Sequence, residues 1–387
     1  EVCALRINKL LKLTAAAAAL TLLASCSPPG GVGTTGGEQA TPTPAAAATP
    51  SPTPEPTPEP TPTPDPIRVQ IAQMSDEELV GQMVMIGFTG TSDMDLDSIA
   101  LMKKYSVGNV LLFGWNTETF AQTKALINKV NSHNPSDIPL LVGIDLEGGE
   151  VIRFKGQWSP SLPSAQSLGR KNDPQLTREQ YARIGTQLKD IGIDIDFAPV
   201  LDIAPDPSAT FLGSRMFGSD PDVVAPLVKE AIAGLNDSGV ASLGKHFPGH
   251  GQTEGYALIP FQAAIDAGVD AMLVAHLMYP QLDSEYVASV SPTVITGLLR
   301  ERMGFGGVVF SDDMRMQGLR SRYSVGRGAV LHILAGGDVV LIGKSYDLQK
   351  QVLDALIAAV KDGTISRERL GESAYRILTM KAKYVGL

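Results

Sequence analysis

The chain is poor in cysteine, in basic charge and in long apolar runs, and each shortage closes off a class of function. Only two cysteines occur among 387 residues, Cys3 and Cys26. Cys3 falls inside an N-terminal leader and Cys26 at its end, so the mature chain keeps no thiol for a disulfide or a cysteine nucleophile. Lys and Arg total 32 against 41 Asp and Glu, a formal net charge of -9. The basic residues are scattered, which leaves no electrostatic footprint for nucleic acid. Beyond the leader no apolar run is long enough to cross a bilayer. No Gly-rich dinucleotide fingerprint follows the first strand-like run, and no second Pro/Gly-rich break divides the chain after residue 66.

What is present begins with that leader. Arg6, Lys9 and Lys12 precede an uncharged run over 13–23, the length of a signal-peptide core and too short to span a membrane. Leu23-Ala24-Ser25-Cys26 resembles a bacterial lipobox. It implies a signal peptide over 1–26, lipid attachment at Cys26 and an extracytoplasmic, membrane-anchored protein. Lipid chains hold to a membrane because each buried methylene contributes about 0.8 kcal/mol. Residues 27–66 are rich in Pro, Thr and Ala and end in TPTPDP. Such a segment buries no apolar face and favours an extended, disordered chain with a reach on the order of 100 Å. It reads as a spacer before a single catalytic domain over 67–387.

In that domain, nearly continuous apolar runs recur at 83–88, 108–113, 140–144, 193–199, 239–244, 270–275, 307–310 and 338–342. Runs of this kind suit strands buried on both faces. Helical patterns lie between them at 177–190, 221–236, 261–267, 345–362 and 366–383, with Thr177 as an N-cap and Gly192 beyond the end of the first. Strands alternating with helices predict an α/β fold, a (β/α)8 TIM barrel. An open doubly wound sheet is the runner-up. In such a barrel the site lies at the C-terminal ends of the strands. Asp145 and Glu147 follow the third run, Asp202 the fourth, Lys245 and His246 the fifth, His276 the sixth, and Asp312 and Asp313 the seventh.

Carboxylates at a barrel mouth suit glycoside hydrolysis, in which one attacks or stabilises an oxocarbenium-like centre and an acid protonates the leaving oxygen. Asp312, just past the seventh run, is the best nucleophile candidate. Taken alone, Ser311-Asp312-Asp313 reads better as the cap of the next helix. The stretch Lys245-His246-Phe247-Pro248-Gly249-His250-Gly251 packs a cation and two imidazoles into a turn. Its two histidines have zinc-pair spacing, but Pro248 and Gly249 oppose the helix that such a pair needs.

The string KHFPGHG resembles the signature of the family 3 glycoside hydrolases, in the branch of β-N-acetylglucosaminidases. The likeness spans nearly all of residues 70–385. Ile144-Asp145-Leu146-Glu147-Gly148-Gly149 is similar to the family's IDxEGG segment, and Phe197-Ala198-Pro199-Val200-Leu201-Asp202 to its fourth-strand motif. The run from Gly213 to Pro221 resembles GxRxFGxDP, and Phe310-Ser311-Asp312-Asp313-Met314 the nucleophile segment. The resemblance implies a retaining β-N-acetylhexosaminidase acting on N-acetylglucosamine-containing glycans such as peptidoglycan fragments. Asp312 would be the nucleophile, and Asp145, Arg153, Arg215, Lys245 and His246 would hold the sugar. It implies no metal and no organic cofactor, and leaves the oligomeric state open.

One departure falls on catalysis. After GHG, this branch carries Asp-Thr-x-x-Asp-Ser-His-x-x-Leu-Pro, a loop that supplies an Asp-His acid/base dyad. Here Gly251-Gln252-Thr253-Glu254-Gly255 leads almost directly to Pro260-Phe261, and the dyad is missing. Glu150 also replaces the family's usual Arg. Three readings stay open: a hydrolase using another acid, either Glu254 on the shortened loop or His250; a slow enzyme; or a glycan-binding lipoprotein without turnover. Phosphorolysis in place of hydrolysis is a further alternative.

Overall fold

The computed structural model describes residues 64–387 apart from 155, 159, 205, 207–209 and 251–254. The leader, Cys26, nearly all of the Pro/Thr/Ala-rich segment and Glu254 lie outside the described residues.

Eight parallel strands form one sheet: β1 (Val84–Gly87), β2 (Asn109–Leu112), β3 (Leu141–Ile144), β4 (Ile195–Asp196), β5 (Ala241–Phe247), β6 (Ala271–Val274), β9 (Val308–Ser311) and β10 (Val340–Ile342). Their order is β10-β1-β2-β3-β4-β5-β6-β9, and a parallel bridge from Phe310 to Val339 joins the two ends into a barrel. Apart from β5 and β9, which run on past the expected end, each strand falls within one of the apolar runs. Every residue of these strands is buried, as expected of strands covered on both faces. A short hairpin, β7 (Met278–Tyr279) with β8 (Asp283–Val287), interrupts the alternation after β6.

Helices α1 (Pro66–Gln73), α2 (Asp76–Gln82), α3 (Leu96–Tyr105), α4 (Phe120–Asn131), α5 (Ala165–Lys171) and α6 (Pro174–Asp190) lie in the first half. The second half carries α7 (Pro221–Asp237), α8 (Ile259–Asp266), a π-type turn of helix over Thr293–Arg302, α9 (Gln317–Arg320), α10 (Val325–Leu334), α11 (Tyr346–Lys361) and α12 (Arg367–Tyr384). Helix α6 starts three residues earlier than its apolar pattern suggests. Asp173, not Thr177, is its N-cap and accepts the Leu176 N–H at 3.0 Å, with Pro174 in the first turn. An Asp-Pro pair is the stronger start signal, because the side chain takes an orphan N–H and Pro lacks one.

Opposite the strand ends that carry the polar residues, Asp338 sits fully buried just before β10. It accepts bonds from Arg300 (2.6 Å), Arg376 (2.8 Å), Ser373 Oγ (2.7 Å) and the Val309 N–H (2.9 Å). Burial alone would raise its pKa, but Arg300 and Arg376 outweigh that and hold it below the ordinary 3.8. A carboxyl with a depressed folded pKa adds stability that is present above the unfolded value and lost as pH falls through the folded one. Asp338→Asn is therefore expected to be less stable than wild type at neutral pH, with the gap narrowing below pH 3.8. Denaturant unfolding of both proteins across that range checks it; a gap independent of pH would contradict the assignment.

Candidate active site

The strand ends build the site piece by piece. After β3 the chain places Asp145 and Glu147 and then turns through Gly148 (φ 84°) and Gly149 (φ 57°). A Cβ on Gly148 would lie 2.3 Å from the Pro163 carbonyl oxygen, so only glycine closes this turn. The Glu147 carboxylate accepts both Nε and Nη2 of Arg215 at 2.7 Å and pairs with Lys245 Nζ at 2.6 Å. Arg215 comes from the short 3-10 turn Gly213–Arg215. Lys245 Nζ also donates to Asp145 Oδ1 at 2.5 Å.

Lys245 and His246 lie within β5 rather than beyond it, because the strand runs on to Phe247. Successive side chains of a regular strand point to opposite faces, yet both of these line one cavity. The register against β6 shifts between Gly244 and Phe247, and this irregularity re-aims the pair. Behind His246, the buried Asp202 carboxylate accepts three N–H groups. They are His246 Nδ1 (2.7 Å), the His246 backbone (3.0 Å) and the His250 backbone (2.7 Å). The turn is braced from outside by Tyr279, whose hydroxyl donates to the Gly249 carbonyl at 2.5 Å.

Charge in this cluster survives burial because it is paired. Burial favours a neutral Lys245, but Asp145 and Glu147 outweigh it and hold the ammonium above its ordinary pKa. For Asp145, burial pushes upward, and Lys245 and Arg153 reverse that to a net lowering. Asp202 behaves likewise, with His246 and His250 overcoming burial. Asp196 makes no ion pair among the described residues, and the pull of Lys245 does not offset burial. Burial raises its carboxyl well above the usual range, and its Oδ1 accepts the Leu146 N–H at 2.9 Å.

Past β9, Asp312 lines the same cavity, and its Oδ1 accepts the Asp313 N–H at 2.8 Å. Asp313 is engaged elsewhere, accepting Arg315 Nη2 at 2.6 Å and the Gly343 N–H at 3.2 Å. Ser311 Oγ accepts the Leu341 N–H. Helix α9 begins after Met316 with no side-chain cap, so this segment does not serve as a helix cap.

Asp145, Arg215, Lys245, His246 and Asp312 thus line one cavity of about 230 Å³, together with Phe113, Phe197, Phe211, His250 and Met316. It has room for a single sugar ring and little more. Arg153 is not among these lining residues; it pairs with Asp145, with Nη2 3.6 Å from Oδ2. His276 also leaves the pattern of strand-end residues, since it is buried against Ser289 Oγ at 2.5 Å. Sequence reasoning gave no role to Phe113, Phe211 or Met316, whose places depend on which loops meet at the mouth. The arrangement suits a polar ring held on one side by charged groups, with a carboxylate at reach of its reactive carbon.

The chain matches the profile of the glycosyl hydrolase family 3 N terminal domain over residues 75–257 and 254–380. It is 31% identical over 338 residues to the β-hexosaminidase LpqI of Mycobacterium tuberculosis, covering 81% of this chain and 85% of that one. The structure is similar to a family 3 β-N-acetylglucosaminidase from Paenibacillus sp., with a TM-score of 0.78 and 36% identity. That match covers 81% of this chain and 63% of the other, so this chain spans less than two thirds of that protein. A β-N-acetylhexosaminidase from Beutenbergia cavernae gives a TM-score of 0.74 at 27% identity, over 80% and 99% of the two chains. With its barrel, its site motifs and nearly all of its described length accounted for in this way, the chain belongs to glycoside hydrolase family 3.

Proposed function

We propose that the protein is a retaining β-N-acetylhexosaminidase that removes terminal N-acetylglucosamine from glycans such as peptidoglycan fragments. The observation that carries this reading is that Asp312 lines a ring-sized cavity together with Asp145, Lys245 and Arg215, which Glu147 ties into one ionic cluster. Asp312 attacks the anomeric carbon, forming a glycosyl-enzyme that water then hydrolyses. Asp145, Lys245, Arg215 and His246 hold hydroxyls and the acetamido carbonyl, since charged groups make the stronger hydrogen bonds. Arg153 acts through Asp145. The activities of the relatives, a β-hexosaminidase and a β-N-acetylglucosaminidase, support the choice of aminosugar.

The general acid is the open part. Two profile matches that meet at 254–257 support a shortened β5–α8 connection. Glu254, the acid candidate on that connection, lies outside the described residues. Losing general acid catalysis costs about 10²–10⁴-fold, so turnover persists on substrates with good leaving groups. A chromogenic aryl N-acetylglucosaminide is expected to be hydrolysed, and the matching glucoside much more slowly. Hydrolysis of the aryl substrate but not of natural disaccharides would place the defect in the acid. Sugar binding without any turnover would make this a glycan-binding protein, and release that requires phosphate would make it a phosphorylase. Lipid attachment at Cys26, with residues 27–66 as a spacer from a bacterial membrane, is part of the proposal. Cys26→Ala is expected to release the protein from membranes into the soluble fraction.

A further inference from the structure

The reaction needs a proton donor, and the cavity offers few titratable groups free to serve. Lys245, Arg215 and Asp145 are tied into the ionic cluster, and Asp313 is held by Arg315 and Gly343. His246 is bonded through Nδ1 to Asp202, and in the proposed clasp its Nε2 is given to the sugar. His250 differs, because Asp202 holds its backbone N–H and not its ring. Among the described residues the imidazole makes edge contacts: with His246 on one side (ring centroids 4.9 Å, 81°) and Phe211 on the other (4.9 Å, 87°). Phe211 is 75% exposed. A phenyl ring left so open at a cavity mouth contributes little to the core; here it walls one side of the imidazole and steadies its orientation. The ring lines the cavity that Asp312 lines, and the Asp202 carboxylate lies behind it to stabilise an imidazolium.

We propose that His250 is the acid/base of this hydrolase, replacing the dyad of the missing loop. In the first step the His250 imidazolium gives its proton to the glycosidic oxygen as Asp312 bonds to C1 and the C1–O bond breaks. In the second, the neutral ring takes a proton from the water that attacks C1 and releases Asp312. This rests on Asp312 being the nucleophile.

Burial holds the His250 ring below its ordinary 6.5; Asp202 and Asp312 oppose this, while His246 and Arg215 add to it. The alkaline limb of kcat/KM on a poor leaving group should therefore fall below pH 6.5 in the wild type. In the full chain, His250→Gln and His250→Ala should lose about 10²–10⁴-fold on an alkyl N-acetylglucosaminide or a disaccharide. On a dinitrophenyl N-acetylglucosaminide, whose leaving group needs no proton, the glycosylation step should be nearly unchanged. Added azide should speed the variants and give a β-glycosyl azide. That alkaline limb should disappear in both variants. Equal losses on both substrate types would mean a purely structural role and overturn the proposal. So would a leaving-group dependence found in Glu254→Gln and not in the His250 variants, or a wild-type alkaline limb well above pH 6.5. Turnover surviving Asp312→Asn would instead sink the underlying site reading, which keeps the two failures apart.

Discussion

Replacing Asp312 by Asn is expected to lower turnover of an aryl N-acetylglucosaminide by about 10⁴-fold or more, since removing a covalent nucleophile forfeits the whole two-step route. The substitution keeps the size of the side chain and its Oδ1 acceptor for the Asp313 N–H at 2.8 Å. The fold and the sugar clasp should therefore survive. Calorimetric titration with N-acetylglucosamine is expected to show affinity close to wild type. Loss of binding along with turnover would mean that Asp312 holds the sugar in place. Full activity in the variant would remove Asp312 from the chemistry altogether.

Lys245→Met is expected to damage both activity and stability. Lys245 is 3% exposed and bridges two carboxylates, Asp145 at 2.5 Å and Glu147 at 2.6 Å. Removing the cation leaves negative charge without its main partner; deleting one side of a fully buried pair costs about 3–5 kcal/mol, and the 30% exposure of the Asp145 side chain brings the cost here below that range. Arg215 still covers Glu147 with two bonds, so Asp145 bears most of the loss. Its carboxyl, now depressed by Lys245 and Arg153 against the pull of burial, should move upward in the variant. The destabilisation should accordingly shrink toward low pH, where protonation relieves the unpaired charge. Thermal unfolding of the two proteins at pH 7 and pH 4 tests this. Equal melting temperatures at pH 7 would show that the cluster is held by its geometry and not by its charges. On activity, KM should rise with the loss of a hydroxyl contact, and kcat should fall because the ring is no longer aimed at Asp312.

On the proposed reading, a shortened connection after β5 makes the chemistry asymmetric. Asp145, Lys245, His246 and Asp312 sit at or just past strand ends, as sites built on regular elements do. The acid function of the family motif lay on a loop, and loops tolerate deletion far better than strands. Losing such a loop removes one catalytic group and leaves the sugar cavity standing. The tests on His250 separate a replaced acid from a missing one.

How much was legible beforehand follows from the range of each interaction. Residues 83–88 and 108–113 read as strands because unbroken apolar runs demand burial on both faces, and β1 and β2 lie inside them. Helix α12 was readable from Ser366, which caps it, to the charged last turn. Asp145, Lys245, His246 and Asp312 were recognisable as a site because a parallel barrel delivers every strand's C-terminal end to one face. None of this needs knowledge of which side chain touches which. Thr177 was misread as a cap because the apolar period alone does not reveal the Asp173-Pro174 start.

The sequence by itself therefore determined the eight barrel strands, five of the helices and the polar residues at the strand ends. The tertiary structure alone decided the pairings. Lys245 meets Asp145 across 100 residues, Arg215 meets Glu147 across 68, and His246 meets Asp202 across 44. It paired Arg153 with Asp145, buried His276 against Ser289 and stood Phe211 against the His250 ring. Local patterns carry the backbone's preferences, since those depend on neighbours a few positions away. Contacts between distant strand ends depend on barrel closure and register, which no local stretch encodes.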